Sequence, residues 1–244
     1  MNRFLKALGD VFFPTAFTCD ICGTETFDGN ICPQCLKSLP FNNGKVCPVC
    51  GRKTVVNEIC IECKTIPPIF KAAVSPFVYE GGAVALVSKF KNGSAYLKDY
   101  FADLIAERLV RLPKPDCIVY VPMTKKAIRK RDYNQAELLA KALSEKTGIP
   151  LLSGAVVKIK DTSEQKSLSR RERMNNLKSC FKVEKREEIK NKRVLLVDDV
   201  LTTGATADSI SKILLSAGAK CAYLATIASV EFKIEKTIDN LDSI

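Results

Sequence analysis

The 244-residue chain contains no histidine. Without an imidazole, Ser-His-Asp hydrolases, HExxH metalloproteases, Cys/His proteases and histidine-based nucleases are excluded, because each needs that ring. Chemistry here must come from carboxylates, lysines, arginines, hydroxyls, thiols, backbone dipoles or a metal ion. Long apolar runs are missing too: no stretch reaches the roughly 18 uncharged apolar residues of a membrane-spanning helix, so no membrane insertion is expected. The opening MNRFLKALGDVFFPTAF is interrupted by Asp10 and Pro14, and no small-residue cleavage site follows. It reads as a short amphipathic helix (Phe4, Leu5, Leu8, Phe12) docked on a cytoplasmic protein rather than as a signal peptide.

Hydrophobic residues make up 46% of the chain, enough for one substantial α/β domain plus a smaller module. The formal charge of +11 is unevenly placed, since residues 120–195 carry twenty Lys/Arg against nine Asp/Glu. That segment expects an anionic partner, either a phosphorylated small molecule or a nucleic acid.

Eight of the eleven cysteines fall between Cys19 and Cys63. Cys19-Asp-Ile-Cys22 and Cys47-Pro-Val-Cys50 are copies 28 residues apart, each followed by glycine, and Cys32 to Cys35 and Cys60 to Cys63 keep the same offset. A CxxC turn sets two thiolates about a metal's width apart, and two such knuckles complete a closed, structural Cys₄ shell. In a cytoplasmic chain this density points to metal, two Zn²⁺ ions, rather than disulfides. The offset favours sequential pairing, with Cys19, Cys22, Cys32 and Cys35 on one ion and Cys47, Cys50, Cys60 and Cys63 on the other. Interleaved pairing is the alternative. The ribbons either brace the fold or a partner surface, or touch nucleic acid. Two bound ions would bring the net charge to about +7.

Beyond a linker, strands and helices alternate. Strands are expected over 73–79, 118–121, 155–159, 193–197 and 220–228. Helices are expected over 83–90, 97–112, 134–147 and 205–216. Such alternation predicts an α/β fold with a parallel sheet flanked by helices, whose ligands sit at the carboxyl ends of the strands. The polar stretch 161–179 has little periodicity. Domain boundaries are expected at 1–66 for the helix and ribbons and 67–244 for the larger unit.

The sharpest motif is VLLVDDVLTTGAT at 194–206. Thr202, Thr203, Gly204, Ala205 and Thr206 join a strand to a helix N-terminus, where free N–H groups and the helix dipole favour an anion. The hydroxyls add donors without charge, as suits a phosphate monoester. Asp198 and Asp199 would repel that phosphate; they suit accepting hydrogen bonds from a vicinal diol or facing a metal-bound cation. A sugar phosphate satisfies both halves. The plain alternative, a helix cap, accounts for one threonine but not for two acids and three threonines.

This motif resembles the phosphoribosyl diphosphate (PRPP) signature of type I phosphoribosyltransferases. VPMTKKAIRKRDYNQAELLAKAL (121–143) and DTSEQKSLSRRERMNNLKSCF (161–181) resemble elements of the ComF-type competence proteins, and the cysteine-rich ribbon completes that layout. The resemblance implies a type I phosphoribosyltransferase fold behind an N-terminal Cys₄ zinc-ribbon module. It further implies PRPP as ligand, with Asp198 and Asp199 on the ribose hydroxyls and Thr202 through Thr206 on the 5′-phosphate. Met123, Thr124 and Lys125, assisted by Arg129 and Arg131, would bind pyrophosphate with Mg²⁺. Gln165, Arg173 and Asn176 would belong to a flexible lid, Arg173 and Gln165 being candidates for catalysis. Asp132 departs from the family, which usually has glycine there.

Two functions follow from the resemblance, both within DNA uptake and natural transformation. One is a phosphoribosyltransferase of unknown acceptor. The other is a protein whose main task is to bind single-stranded DNA, with catalysis vestigial, alongside a competence-machinery partner such as a DNA helicase or translocase. Stacking aromatics in the basic region are few, Tyr133 and Phe181, which favours DNA only weakly.

Overall fold

The computed structural model describes residues 17–26, 29–160 and 180–231. The expected N-terminal helix and the segment 161–179 lie outside the described residues.

The ribbon region holds β1 (Phe17–Thr18) and β2 (Glu25–Thr26), an antiparallel pair, and two one-turn helices, α1 (Pro33–Lys37) and α2 (Ile61–Thr65). The larger unit begins with β3 (Ala72–Val74), β4 (Phe77–Val78), α3 (Gly81–Lys91) and α4 (Leu97–Arg108), which tightens into a 3₁₀ turn at Leu109–Arg111. There follow β5 (Cys117–Tyr120), α5 (Lys125–Arg131), α6 (Gln135–Thr147) and the strands β6 (Val156–Lys158) and β7 (Phe181–Val183). The described chain closes with α7 (Arg186–Ile189), β8 (Arg193–Leu201), α8 (Ala205–Ser216) and β9 (Cys221–Ser229).

The main sheet runs β3-β9-β8-β5, and every pairing in it is parallel. Parallel strands buried on both faces read as continuous apolar runs, and β8 shows why. Leu195 and Val197 pack on one face with Phe90, Phe101, Ile105, Leu139 and Leu143 of α3, α4 and α6. Val194 and Leu196 point to the other face, into a cluster with Ile210 and Leu214 of α8 and with Cys47, Cys50 and Phe70 from the ribbon side. Phe90 and Phe101 are fully buried, ring centroids 5.4 Å apart edge to face, and each such side chain contributes roughly 1.5–3 kcal/mol by leaving water.

Several expectations are refined. The strand expected over 73–79 is two strands, because Pro76 has no N–H to give and Ser75 turns its hydroxyl to Thr226, 2.6 Å away. Both pieces pair with β9 in one register, Ala72 with Tyr223 and Phe77 with Ala228. The strand expected over 193–197 runs to Leu201, so both aspartates lie inside β8 rather than at its end. The stretch expected as a strand at 155–159 leaves the main sheet: residues 150–152 cover the outer edge of β5, and β6 then pairs antiparallel with β7. Helix α5 has no counterpart among the expected elements. Among the described residues no helix is long and apolar enough to cross a membrane.

Candidate functional site

The eight ribbon cysteines form two groups, Cys19, Cys22, Cys32, Cys35 and Cys47, Cys50, Cys60, Cys63, with all ligand atoms of a group within 4.8 Å of one another. Pairing is therefore sequential, not interleaved. A tetrahedron with Zn–S bonds near 2.3 Å has edges of about 3.8 Å. The Cys22–Cys32 and Cys50–Cys60 sulfurs stand 3.8 and 3.7 Å apart, so the residues present fit zinc. The copies repeat in detail: Cys32 N–H faces Cys19 Sγ and Cys60 N–H faces Cys47 Sγ, each at 3.4 Å. Burial opposes ionisation of Cys19, yet backbone N–H groups around it hold its thiol down at about 6. The neighbouring Cys63 thiol, aided by Arg52, holds Cys50 at about 5 despite burial. Both are poised as thiolate ligands.

The two ribbons sit differently. The first leans on α3 through Asp20, whose carboxylate accepts from Lys89 at 2.9 Å and Tyr96 at 2.8 Å, and Cys22 is exposed. The second is seated against the β3 edge of the sheet. Gly51, at φ +69°, lies so close to β3 that an added Cβ would stand 2.4 Å from the Ala73 carbonyl oxygen. Buried Asn42 donates to the Gly51 carbonyl at 2.7 Å and to the Ser75 carbonyl at 3.2 Å, tying ribbon to sheet.

The acid pair occupies the carboxyl half of β8. Asp199 N–H donates to Asp198 Oδ1 at 2.8 Å, and the Asp199 carboxylate meets the Lys91 ammonium at 2.8 Å. Burial, then the adjacent Asp199 charge, pushes the Asp198 carboxyl up to about 8, against the opposing pull of the Asp199 N–H and Lys91. One carboxylate is thus ion-paired while its neighbour is pushed toward its protonated form.

Thr202, Thr203 and Gly204 follow directly. Gly204 adopts φ +78°, a left-handed turn that admits the chain to α8 without a side-chain cap. The N–H groups of Thr203 and Gly204 have no acceptor among the described residues. The Thr203 hydroxyl faces the Ala205 N–H at 3.4 Å, and Thr206 is half-buried in the first turn. Free donors at the start of a 12-residue helix are a place an anion can occupy. Asp208, also in that turn, is buried and accepts from the Ile69 N–H at 2.7 Å, a structural tether.

The neighbouring strand β5 leaves the same carboxyl edge, with Val121 N–H bonded to the Val197 carbonyl at 2.9 Å. Met123 and Thr124 are half-buried there, and Thr124 Oγ1 caps α5 by accepting from Ala127 N–H at 3.3 Å. Lys125 and Arg129 are exposed on α5, and Arg131 is half-buried. Asp132 ends α5 at φ +66°. This accounts for the family glycine: the position needs the left-handed region, which aspartate tolerates better than most side chains. Asn134 caps α6 and donates to the Val121 carbonyl at 3.0 Å, while Gln135 donates to the Lys91 carbonyl at 3.2 Å. The two thus hold the Lys91 turn beside the end of β5. Tyr133, half-buried, packs on Phe90 and gives its hydroxyl to the Phe90 carbonyl, and Phe181 is buried and presents no free stacking face.

Gln165, Arg173 and Asn176 lie outside the described residues. Sequence reasoning missed Lys91 and Arg52. Lys91 stands at the end of an ordinary helix, 108 positions before Asp199, with no linear signal joining them. Arg52 carried one: in the 28-residue repeat it replaces Thr24.

A phosphoribosyl transferase domain model matches residues 102–242 and a double zinc ribbon domain model residues 8–64. Competence protein F of Haemophilus influenzae is 38% identical over 141 residues, covering 54% of this chain and 62% of that protein. DNA utilization protein YhgH of Salmonella typhi is 37% identical over 116 residues, 48% of this chain and 50% of that one. The chain thus spans less than two thirds of the length of these two relatives. With YhgH of Escherichia coli K12 it shares 31% identity over 209 residues, 82% of this chain and 85% of the relative. Among solved structures, adenine phosphoribosyltransferase from Thermoanaerobacter pseudethanolicus is 20% identical at a TM-score of 0.39, over 62% of this chain and 77% of that one. At that TM-score the likeness decides nothing further. The matches with the two domain models and the long alignment to YhgH make this chain a member of the ComF family, a type I phosphoribosyltransferase domain fronted by a double zinc ribbon.

Proposed function

We propose that the chain binds PRPP with Mg²⁺ at the carboxyl edge of β8 and β5 and transfers its phosphoribosyl group during the handling of incoming DNA. The observation that carries this reading is the pair of acceptor-less N–H groups, Thr203 and Gly204, at the start of α8, directly behind an acid pair. In this reading Thr202 through Thr206 hold the 5′-phosphate and Asp198 and Asp199 the ribose hydroxyls. Met123, Thr124, Lys125, Arg129 and Arg131 face the pyrophosphate, and Gln165, Arg173 and Asn176 close over it. Mg²⁺ supplies charge neutralisation on the departing pyrophosphate. Cleavage of the C1–oxygen bond proceeds through a cationic sugar, so donors on the pyrophosphate and exclusion of water supply catalysis without an imidazole. The names of the relatives, competence and DNA utilization, support a role in DNA uptake.

A second reading, single-stranded DNA binding with vestigial catalysis, is favoured by α5, which exposes Lys125, Lys126, Arg129 and Lys130. Calorimetry with PRPP and Mg²⁺ on wild type and on Asp198→Asn/Asp199→Asn separates the two. No binding by wild type sinks the first reading. Binding without pyrophosphate release across a panel of bases, together with salt-dependent DNA binding, shifts weight to the second.

A further inference from the structure

The 28-residue repeat pairs Cys19 with Cys47, Gly23 with Gly51, Thr24 with Arg52 and Gln34 with Glu62. In the first copy Thr24 stays inside its knuckle, its hydroxyl 2.9 Å from Cys22 Sγ. In the second copy the same position reaches out. Arg52 is 6% exposed, and its guanidinium donates through Nη1 to the Glu62 carboxylate and through Nη2 to the Thr202 backbone carbonyl. Its main chain is part of the first knuckle, where its carbonyl accepts from Cys47 N–H at 2.9 Å. Glu62 lies between Cys60 and Cys63 of the second knuckle. Arg52 is therefore held by both halves of one metal site and grips the loop after β8 from below. The space left between Cys50, Cys63, Phe70 and Gly204 is about 10 Å³, at or below what one water needs.

The peptide plane makes this contact directional. In a trans peptide the carbonyl of Thr202 and the N–H of Thr203 point opposite ways. Drawing the Thr202 oxygen toward the ribbon turns the Thr203 N–H away from it, and that is one of the donors with no protein acceptor. The buried guanidinium is also costly to leave without a partner, which holds Arg52 to the Thr202 carbonyl.

We propose that Arg52 is a positioning residue for the anion-binding loop, and that it makes the loop's geometry depend on metal in the second ribbon and not in the first. The ligand part rests on the PRPP reading above; the loop geometry does not.

The test uses the full chain. Arg52→Met keeps all eight thiolates and the volume of the stem. The expected result is two zinc ions per chain by elemental analysis, and amide exchange faster by about tenfold or more in a peptide spanning 200–208, where the Asp208 N–H bonds the Gly204 carbonyl at 2.8 Å. Exchange in α6 stays unchanged, and PRPP with Mg²⁺ binds about tenfold more weakly. Arg52→Lys recovers part of both. Cys50→Ser reproduces the loop effect and Cys22→Ser does not. Unchanged exchange at 200–208 in zinc-loaded Arg52→Met overturns the proposal, as does an equal loop effect from Cys22→Ser. If wild type fails to bind PRPP, the functional reading falls while the exchange data still decide the role of Arg52.

Discussion

The Lys91 ammonium lies 2.8 Å from the Asp199 carboxylate, joining the last turn of α3 to the strand that carries the acid pair. It places a positive charge beside two carboxyl groups that share one edge of the sheet. Removing it strands Asp199 and withdraws the charge that favours ionisation of Asp198. Lys91→Met should lower stability by roughly 1–2 kcal/mol, since the pair is only partly exposed. It should also move the ionisation of Asp198 to higher pH. Urea unfolding and carboxyl-resolved NMR titration read the two effects separately.

Asp198 itself gives a pH signature with a definite sign. Its carboxyl titrates near 8 in the folded chain against an ordinary 3.8. Between those values the unfolded state has lost the proton that the folded state keeps, so stability falls as pH rises through the window and levels above it. Below the window both states are protonated and no dependence remains. Asp198→Asn removes the penalty, so its stability advantage over wild type should be near zero at about pH 4 and grow up to about pH 8. Unfolding midpoints across that range check it. A variant advantage that shrinks with pH contradicts the assignment.

The same carboxyl should gate the ligand. Ribose hydroxyls donate best to the ionised acid. PRPP affinity with Mg²⁺ should therefore rise toward pH 8 and flatten beyond it, with net proton release on binding. Calorimetry in buffers of different ionisation enthalpy measures that proton, and Asp198→Asn should abolish it.

The two glycines that follow the first CxxC of each ribbon separate conformational strain from close packing. Gly23 and Gly51 both have positive φ, +74° and +69°, but a Cβ at Gly23 meets nothing within 4 Å. Gly23→Ala should cost about 1–2 kcal/mol, the left-handed penalty alone. Gly51→Ala adds a collision with the Ala73 carbonyl. It should cost clearly more and loosen the second ribbon from β3, read as lost stability and faster zinc release to a chelator.

How much of this was legible in the chain differs by residue. The cysteine repeat, the acid pair and the threonine-glycine loop stood out because each is local: ligand spacing, strand pattern and turn chemistry need only neighbours. The length of β8 was misjudged because two aspartates look like a strand end, and only pairing with β9 shows the ladder continuing to Leu201. Helix α5 was missed because a run of lysines and arginines has no apolar stripe to reveal its period, and none of its residues is buried. The contacts of Lys91 with Asp199 and of Arg52 with Thr202 join segments more than a hundred residues apart.

By itself, then, the sequence determined the chemistry on offer: sulfur ligands in two matched sets, a strand-to-helix loop rich in donors beside two acids, and no imidazole. Those properties belong to residues within a few positions of one another, so no fold is needed to read them. Tertiary structure alone decided which ribbon touches the loop, which acid meets a lysine and which is pushed toward its protonated form. Burial and charge proximity set those outcomes, and both depend on segments brought together from distant parts of the chain.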